Sequence, residues 1–222
     1  RQGCGAAPVR VTVEREGSAS SVELPVSVPS DRHHISHLLV TTKAQDVCAA
    51  VLSVAHRLDS ASQVLLLSNG MGFAEQLQAA LPLPAYFFGT TTEGAYRVLR
   101  WHIRHAGRGL TRVGRPGCAL PPPWFERWSQ ALQPSNWDAD IEHALWLKFA
   151  INCAINPLTA LHRCRNGELA GHLLAPRLAG LCEEIMRISA AAGMGAITAD
   201  LPEQVAAVIR ATAANRSSML QD

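Results

Sequence analysis

Residues Leu145 to Leu169 read LWLKFAINCAINPLTALHRCRNGEL, and within them Lys148, Asn152 and Asn156 recur at intervals of four among residues that are almost all apolar. On a helix of about 3.6 residues per turn, each step of four rotates the side chain by only ~40°, so the three polar groups form one stripe along a helix otherwise built for burial. A cation and two amides are costly to desolvate without partners. Either the stripe lines a cleft where a polar ligand completes the hydrogen bonding, or Lys148 snorkels to solvent and the amides bond to neighbouring helices. Pro157 should bend or break the helix, because its ring clashes with the preceding turn and pushes Asn156 from α geometry, leaving the Asn156 side chain and local backbone free to face a ligand. Arg165-Asn166-Gly167-Glu168 reads as a turn, with Asn166 a candidate cap.

From about Asp138 onward every segment reads as helix. One spans about 175–192 and is stopped by Gly193 and Gly195. Another spans about 201–215, opened by Asp200 and Pro202, with Val205, Val208, Ile209 and Thr212 facing inward. The chain before Asp138 follows a different rule. Val9 to Glu14 alternates as a strand does, Glu16-Gly17-Ser18 can turn it, and Ser20 to Leu24 can pair back as a hairpin. His37 to Lys43 (HLLVTTK) is a short apolar run leading into a helix over about 44–58. Gln63 to Gly72 (QVLLLSNGMG) repeats the design with a helix over about 73–80, and Ala85 to Thr91 (AYFFGTT) is a third strand. Such strands alternating with helices predict a parallel sheet covered on both faces. Tyr96 to His105 and Gly109 to Gly114 read as two further strands, antiparallel and closing the sheet's edge. After a stiff proline-rich connector, Pro122 to Leu132 reads as a short helix with Trp124 and Trp128 as core contacts. The change of class predicts an α/β unit over 1–137 and an all-α unit over 138–222.

Ligands of parallel sheets bind at the carboxyl ends of the strands, which here are Thr41 to Gln45, Ser68 to Gly72 and Gly89 to Ala95. Gly70 and Gly72 allow a tight turn and a close approach, and Asn69 offers donors and an acceptor. An ordinary strand-to-helix turn has the same composition, and Lys43 would then be a surface lysine.

Composition narrows the classes of function. With 48% hydrophobic residues in 222, the chain can build a substantial core. A net charge of +2 without a dense Lys/Arg run gives no case for nucleic acid or a charged membrane surface, while a small anionic ligand stays open. The apolar runs fall short of the ~20 residues that cross a bilayer, and RQGCGAAPVR at the start has no signal-peptide core, so a cytoplasmic protein is expected. The 6 cysteines are scattered without a C-x-x-C pair, which favours reduced thiols over disulfides or zinc.

Taken together, KAQDV at Lys43, NGMG at Asn69, GTTTEGA at Gly89, the K-x-x-x-N-x-x-x-N-P-L-T-A stretch with its N-G-E-L, and the terminal SSMLQD resemble ketopantoate reductase, or 2-dehydropantoate 2-reductase. The resemblance implies an NADP-binding Rossmann domain, here incomplete, followed by an all-α domain like that of 6-phosphogluconate dehydrogenase, also incomplete. It implies NADPH-dependent reduction of 2-dehydropantoate to (R)-pantoate, a step toward pantothenate and coenzyme A. By the same resemblance Lys148 is the catalytic lysine, and Asn69, Asn152, Asn156 and Asn166 are substrate-binding amides. Ser217 or Ser218 is the hydroxyl, beside a helix N-terminus, that meets the substrate carboxylate. Lys43, Asn69 and Ala95 contact the dinucleotide, and Arg1 takes its 2′-phosphate. The implied partner is a small 2-keto acid, with no nucleic acid, membrane or metal, bound by a monomer or homodimer.

A Rossmann enzyme also needs a strand leading through G-x-G-x-x-G into a helix. Gly3-Cys4-Gly5-Ala6-Ala7-Pro8 imitates that loop but precedes a strand and carries Pro8 at the third glycine, so it reads as an ordinary loop. Two other readings therefore stand beside the reductase. One is a paralogue acting on another branched 2-keto acid, and the other is a non-catalytic fragment or pseudoenzyme.

Overall fold

The computed structural model describes residues 7–221, and its contacts divide the chain into one unit ending at Ile141 and a second beginning at Glu142. In the first unit β1 (Val9–Arg15) and β2 (Ser18–Leu24) form the expected hairpin, registered from Val9↔Leu24 to Arg15↔Ser18. Glu16 at φ 50° and Gly17 at φ 81° supply the left-handed pair that a two-residue turn between twisted strands requires.

Three strands, β3 (His37–Val40), β4 (Gln63–Leu66) and β5 (Ala85–Thr91), run parallel, with Val40 opposite Leu66 and Leu66 opposite Phe88. Successive residues of a strand face opposite ways, and both faces are covered. Val64 and Leu66 pack with Val47, Val51, Phe73 and Leu77 from α1 (Val47–Leu52) and α2 (Phe73–Ala80). Leu65 and Phe87 pack on the other side with Phe125, Trp124 and Trp128 from α3 (Trp124–Ala131). Val47, Val51, Val64 and Leu77 are fully buried, and each such side chain contributes roughly 1.5–3 kcal/mol. Trp124 and Trp128 are core contacts, as their spacing suggested.

Three details of the α/β reading change. The helix expected over 44–58 is a 3-10 turn at Ala44–Asp46, the six-residue α1 and a second 3-10 turn at Ala55–Arg57. Its continuation fails where Ser53 Oγ donates to the Ala50 carbonyl and Val54 N–H bonds back to Val51, a local competition that serine often wins against the helix. The single strand expected over 96–105 is a hairpin of β6 (Gly94–Leu99) and β7 (His102–Gly107), and β7 pairs with β1 in a separate four-stranded sheet. β8 (Thr111–Gly114) is antiparallel to β5 as expected, but it does not close the edge, because β9 (Ser135–Trp137) adds outside it. Three residues with no alternation leave no periodic signal for β9.

The second unit is helical, with α4 (Ile141–His162), α5 (Ala175–Ala191), α6 (Leu201–Ala211) and the short α7 (Ser218–Gln221). Ala150, Ala154, Ile155 and Leu158, at helical spacing on α4, pack with Leu169, Cys182, Leu201, Val205 and Ile209. α4 has the length and mean hydropathy, 1.3, of a bilayer-spanning helix, contrary to the run-length estimate. One row of it, Ala150, Ala154, Ile155 and Leu158, packs in the core of the helical unit. The break expected at Pro157 does not occur: α4 runs through it, Asn156 included. Proline removes only its own N–H from the ladder, and Ala154, Ile155 and Leu158 hold the segments on either side in the core. α6 ends at Ala211 rather than near Asn215. The Ala213 and Asn215 carbonyls instead receive the N–H groups of Gly167 and Asn166.

Candidate functional site

At the carboxyl ends of β3 and β4 the chain leaves the sheet by two turns held together by Ser68, whose buried hydroxyl donates to the Thr42 carbonyl at 2.9 Å. Gly70 (φ 101°) and Gly72 (φ 90°) are both left-handed, and a Cβ on Gly70 would lie 3.1 Å from Ala44 Cβ. Glycine is required there by conformation and by the closeness of the neighbouring turn. Lys43 and Asn69, the residues following Thr42 and Ser68, are exposed. Ala95 is also exposed, but it lies on β6 in the other sheet, opposite His105. Beside it Glu93 accepts from the Gly109 N–H at 3.0 Å and pairs with His105 Nε2 at 2.5 Å, contacts that hold its carboxyl below the usual range. Arg1 and Gly3 to Ala6 lie outside the described residues. Ala7 and Pro8 lead straight into β1.

The second group belongs to α4 and the turns packed on it. Lys148, Asn152 and Asn156 are half-buried, so these three side chains neither enter the dry core nor lie open on the surface. Burial pushes the Lys148 ammonium down from its ordinary 10.5 to about 8, since desolvation disfavours the charged form. A lysine so adjusted can give up a proton near neutral pH while remaining largely cationic.

Thr159, which the sequence reading passed over, completes the stripe. Eleven residues after Lys148 it returns to within ~20° of the same direction, it is fully buried, and its Oγ1 lies 2.6 Å from Ser217 Oγ. Ser217 is buried and caps α7, accepting the Leu220 N–H at 3.2 Å, whereas Ser218 is exposed. Of the two serines, Ser217 has its hydroxyl engaged inside the protein and Ser218 is the exposed one.

Asn166 is not the cap of its turn. Glu168 Oε1 takes the Arg165 N–H at 2.8 Å, while Asn166 is buried and gives Nδ2 to Thr212 Oγ1 at 2.9 Å. Its Oδ1 is buried without a protein partner. Gly167 beside it carries no Cβ because one would meet Ala213 Cβ at 2.9 Å and the Ala213 carbonyl oxygen at 3.0 Å.

Two family models fit the chain. "Ketopantoate reductase PanE/ApbA" matches residues 8–117 and "Ketopantoate reductase PanE/ApbA C terminal" matches residues 140–222. The chain belongs to the ketopantoate reductase family. It is 38% identical over 192 residues to the 2-dehydropantoate 2-reductase of Vibrio cholerae, covering 85% of this chain and 64% of that protein. Its match to the Escherichia coli O157:H7 enzyme, again 38% identical, covers 95% of this chain and 68% of that one. The chain thus spans about two thirds of the length of these relatives. A solved probable 2-dehydropantoate 2-reductase from Bacillus subtilis superposes with a TM-score of 0.73 at 25% identity, over 96% of this chain and 72% of that one. A D-mandelate dehydrogenase solved with NADH and anilino(oxo)acetate reaches 0.79 at 17% identity over 96% and 71%, a likeness of fold. Both parts of the expected architecture, the Rossmann-like sheet and the all-α domain after it, are those of this family.

Proposed function

We propose that the protein reduces 2-dehydropantoate to (R)-pantoate with NADPH. The observation that carries the reading is Lys148, half-buried at the head of a polar stripe and poised by burial at a pKa of about 8. It occurs in a chain that resembles 2-dehydropantoate 2-reductases over most of its length. When bound, a nicotinamide cofactor supplies the hydride. The turn carrying Gly70 and Gly72, with exposed Asn69 and Lys43 at the strand ends, fits a dinucleotide's approach to a parallel sheet. Ala95, and Arg1 for a 2′-phosphate, complete the proposed contacts.

Lys148 holds the ketone oxygen, stabilises the negative charge that develops there and delivers a proton to it. Asn152 and Asn156 orient the substrate along the stripe, and Asn166 offers its unpaired Oδ1 to a substrate hydroxyl. Ser218 takes the carboxylate, while Ser217 anchors the turn. The reading carries with it a cytoplasmic location and a monomer or homodimer.

The test is the oxidation of NADPH, followed by absorbance, with 2-dehydropantoate and with a panel of other branched 2-keto acids. Turnover with the highest kcat/KM on 2-dehydropantoate is expected. Faster turnover of another member would make the protein a paralogue, and NADPH binding without turnover of any of them would remove the enzyme reading.

A further inference from the structure

We propose that Thr159 is a positioning residue, whose hydroxyl clasps Ser217 and fixes the turn at 217–221 against the polar stripe of α4. The inference rests on the proposed function, since that reading makes the stripe and Ser218 the binding surface for the 2-keto acid. Three observations on the second unit carry it. On an ideal helix Thr159 falls within ~20° of the direction of Lys148, at the far end of the stripe. It is fully buried, and its oxygen lies 2.6 Å from the buried Ser217 oxygen. Ser217 in turn holds α7 through its backbone carbonyl, which receives the N–H groups of Leu220 and Gln221, both at 3.2 Å.

Thr159 has a single hydroxyl proton and three acceptors within reach, the Asn156 carbonyl at 2.9 Å, the Ile155 carbonyl at 3.2 Å and Ser217 Oγ. The Thr159 hydroxyl donates across the pair to Ser217 Oγ, with the two helix carbonyls as competing acceptors within reach of the same proton. A contact of this kind fixes a distance between two chain segments far apart in sequence. Valine has the shape of threonine without the hydroxyl and leaves Ser217 without its partner across the clasp. Serine keeps the hydroxyl.

The test measures kcat and KM for 2-dehydropantoate in the wild type, Thr159→Val and Thr159→Ser, together with amide hydrogen exchange of residues 217–221 in each. Thr159→Val is expected to raise KM about tenfold, the equivalent of one lost hydrogen bond, while kcat stays within about twofold. Exchange at Leu220 and Gln221 should accelerate, and Thr159→Ser should restore both quantities. An unchanged KM in Thr159→Val overturns the proposal, as does a parallel loss of kcat and KM that serine fails to rescue. A wild type that turns over no 2-dehydropantoate defeats the proposed function, and the exchange measurement then decides the clasp alone. Faster exchange that serine rescues supports it, and unchanged or already unprotected amides overturn it.

Discussion

Asn166 Nδ2 donates to Thr212 Oγ1 at 2.9 Å, while the Oδ1 of the same side chain is buried without a protein partner. One amide thus fastens the turn at Asn166–Ala170 to the end of α6 and leaves an acceptor unused. Unpaired buried acceptors are rare, and a ligand hydroxyl is the partner the proposed function supplies. Asn166→Ala is expected to lower stability by about 1–2 kcal/mol, the worth of the lost hydrogen bond and a small void, and to raise KM severalfold. Urea denaturation beside steady-state kinetics checks both effects. Intact stability would mean that the Thr212 contact holds nothing.

The neighbouring glycine makes a purely structural test. Gly167→Ala places a methyl 2.9 Å from Ala213 Cβ and 3.0 Å from its carbonyl oxygen, and should cost about 1–3 kcal/mol through overpacking against backbone. Gly180, inside α5, has nothing within 4 Å of an added Cβ. Gly180→Ala should therefore stabilise by about 0.4–1 kcal/mol, since it restricts the unfolded chain and improves helix propensity. Thermal melts of the two variants should shift in opposite directions.

Lys148 gives the protein a pH signature. Its folded pKa, about 8, lies below the ordinary 10.5, so between those values the unfolded state binds more protons and stability rises with pH. Activity should run the other way, because proton donation requires the charged form. We expect kcat/KM to fall tenfold per pH unit above about 8, and Lys148→Arg to lack that limb at whatever residual rate it retains, since arginine stays charged. A pH–rate profile of both proteins is the check.

Much of this was legible in the residues, and the losses have physical reasons. The parallel strands and the helices of the second unit were visible because burial on both faces, or on one stripe, writes itself into the order of apolar residues. The polar stripe was visible for the same reason, as an interruption of that order. β9 was not, being only three residues long, and the hairpin of β6 and β7 was hidden because its partner, β1, lies far away in sequence. Pro157 misled because the local rule on proline ignores the core packing of Ala154, Ile155 and Leu158. Thr159 carries no signal of its own in the sequence beyond its position on the helix, within ~20° of Lys148. A threonine beside Pro157 and Leu158 reads as filler until Ser217 is seen 2.6 Å away.

The central claim is that the stripe on α4 divides its labour, with Lys148 acting on the transition state and the two amides acting on binding. Kinetics of Lys148→Ala, Asn152→Ala and Asn156→Ala with 2-dehydropantoate and NADPH test it most directly. For Lys148→Ala we expect kcat to fall by on the order of a hundredfold or more, the usual consequence of losing a general acid and oxyanion donor. The two asparagine variants should instead raise KM with smaller losses in kcat. A Lys148→Ala protein with near-normal kcat would contradict the assignment and leave the lysine as a side chain that merely reaches solvent from a buried helix.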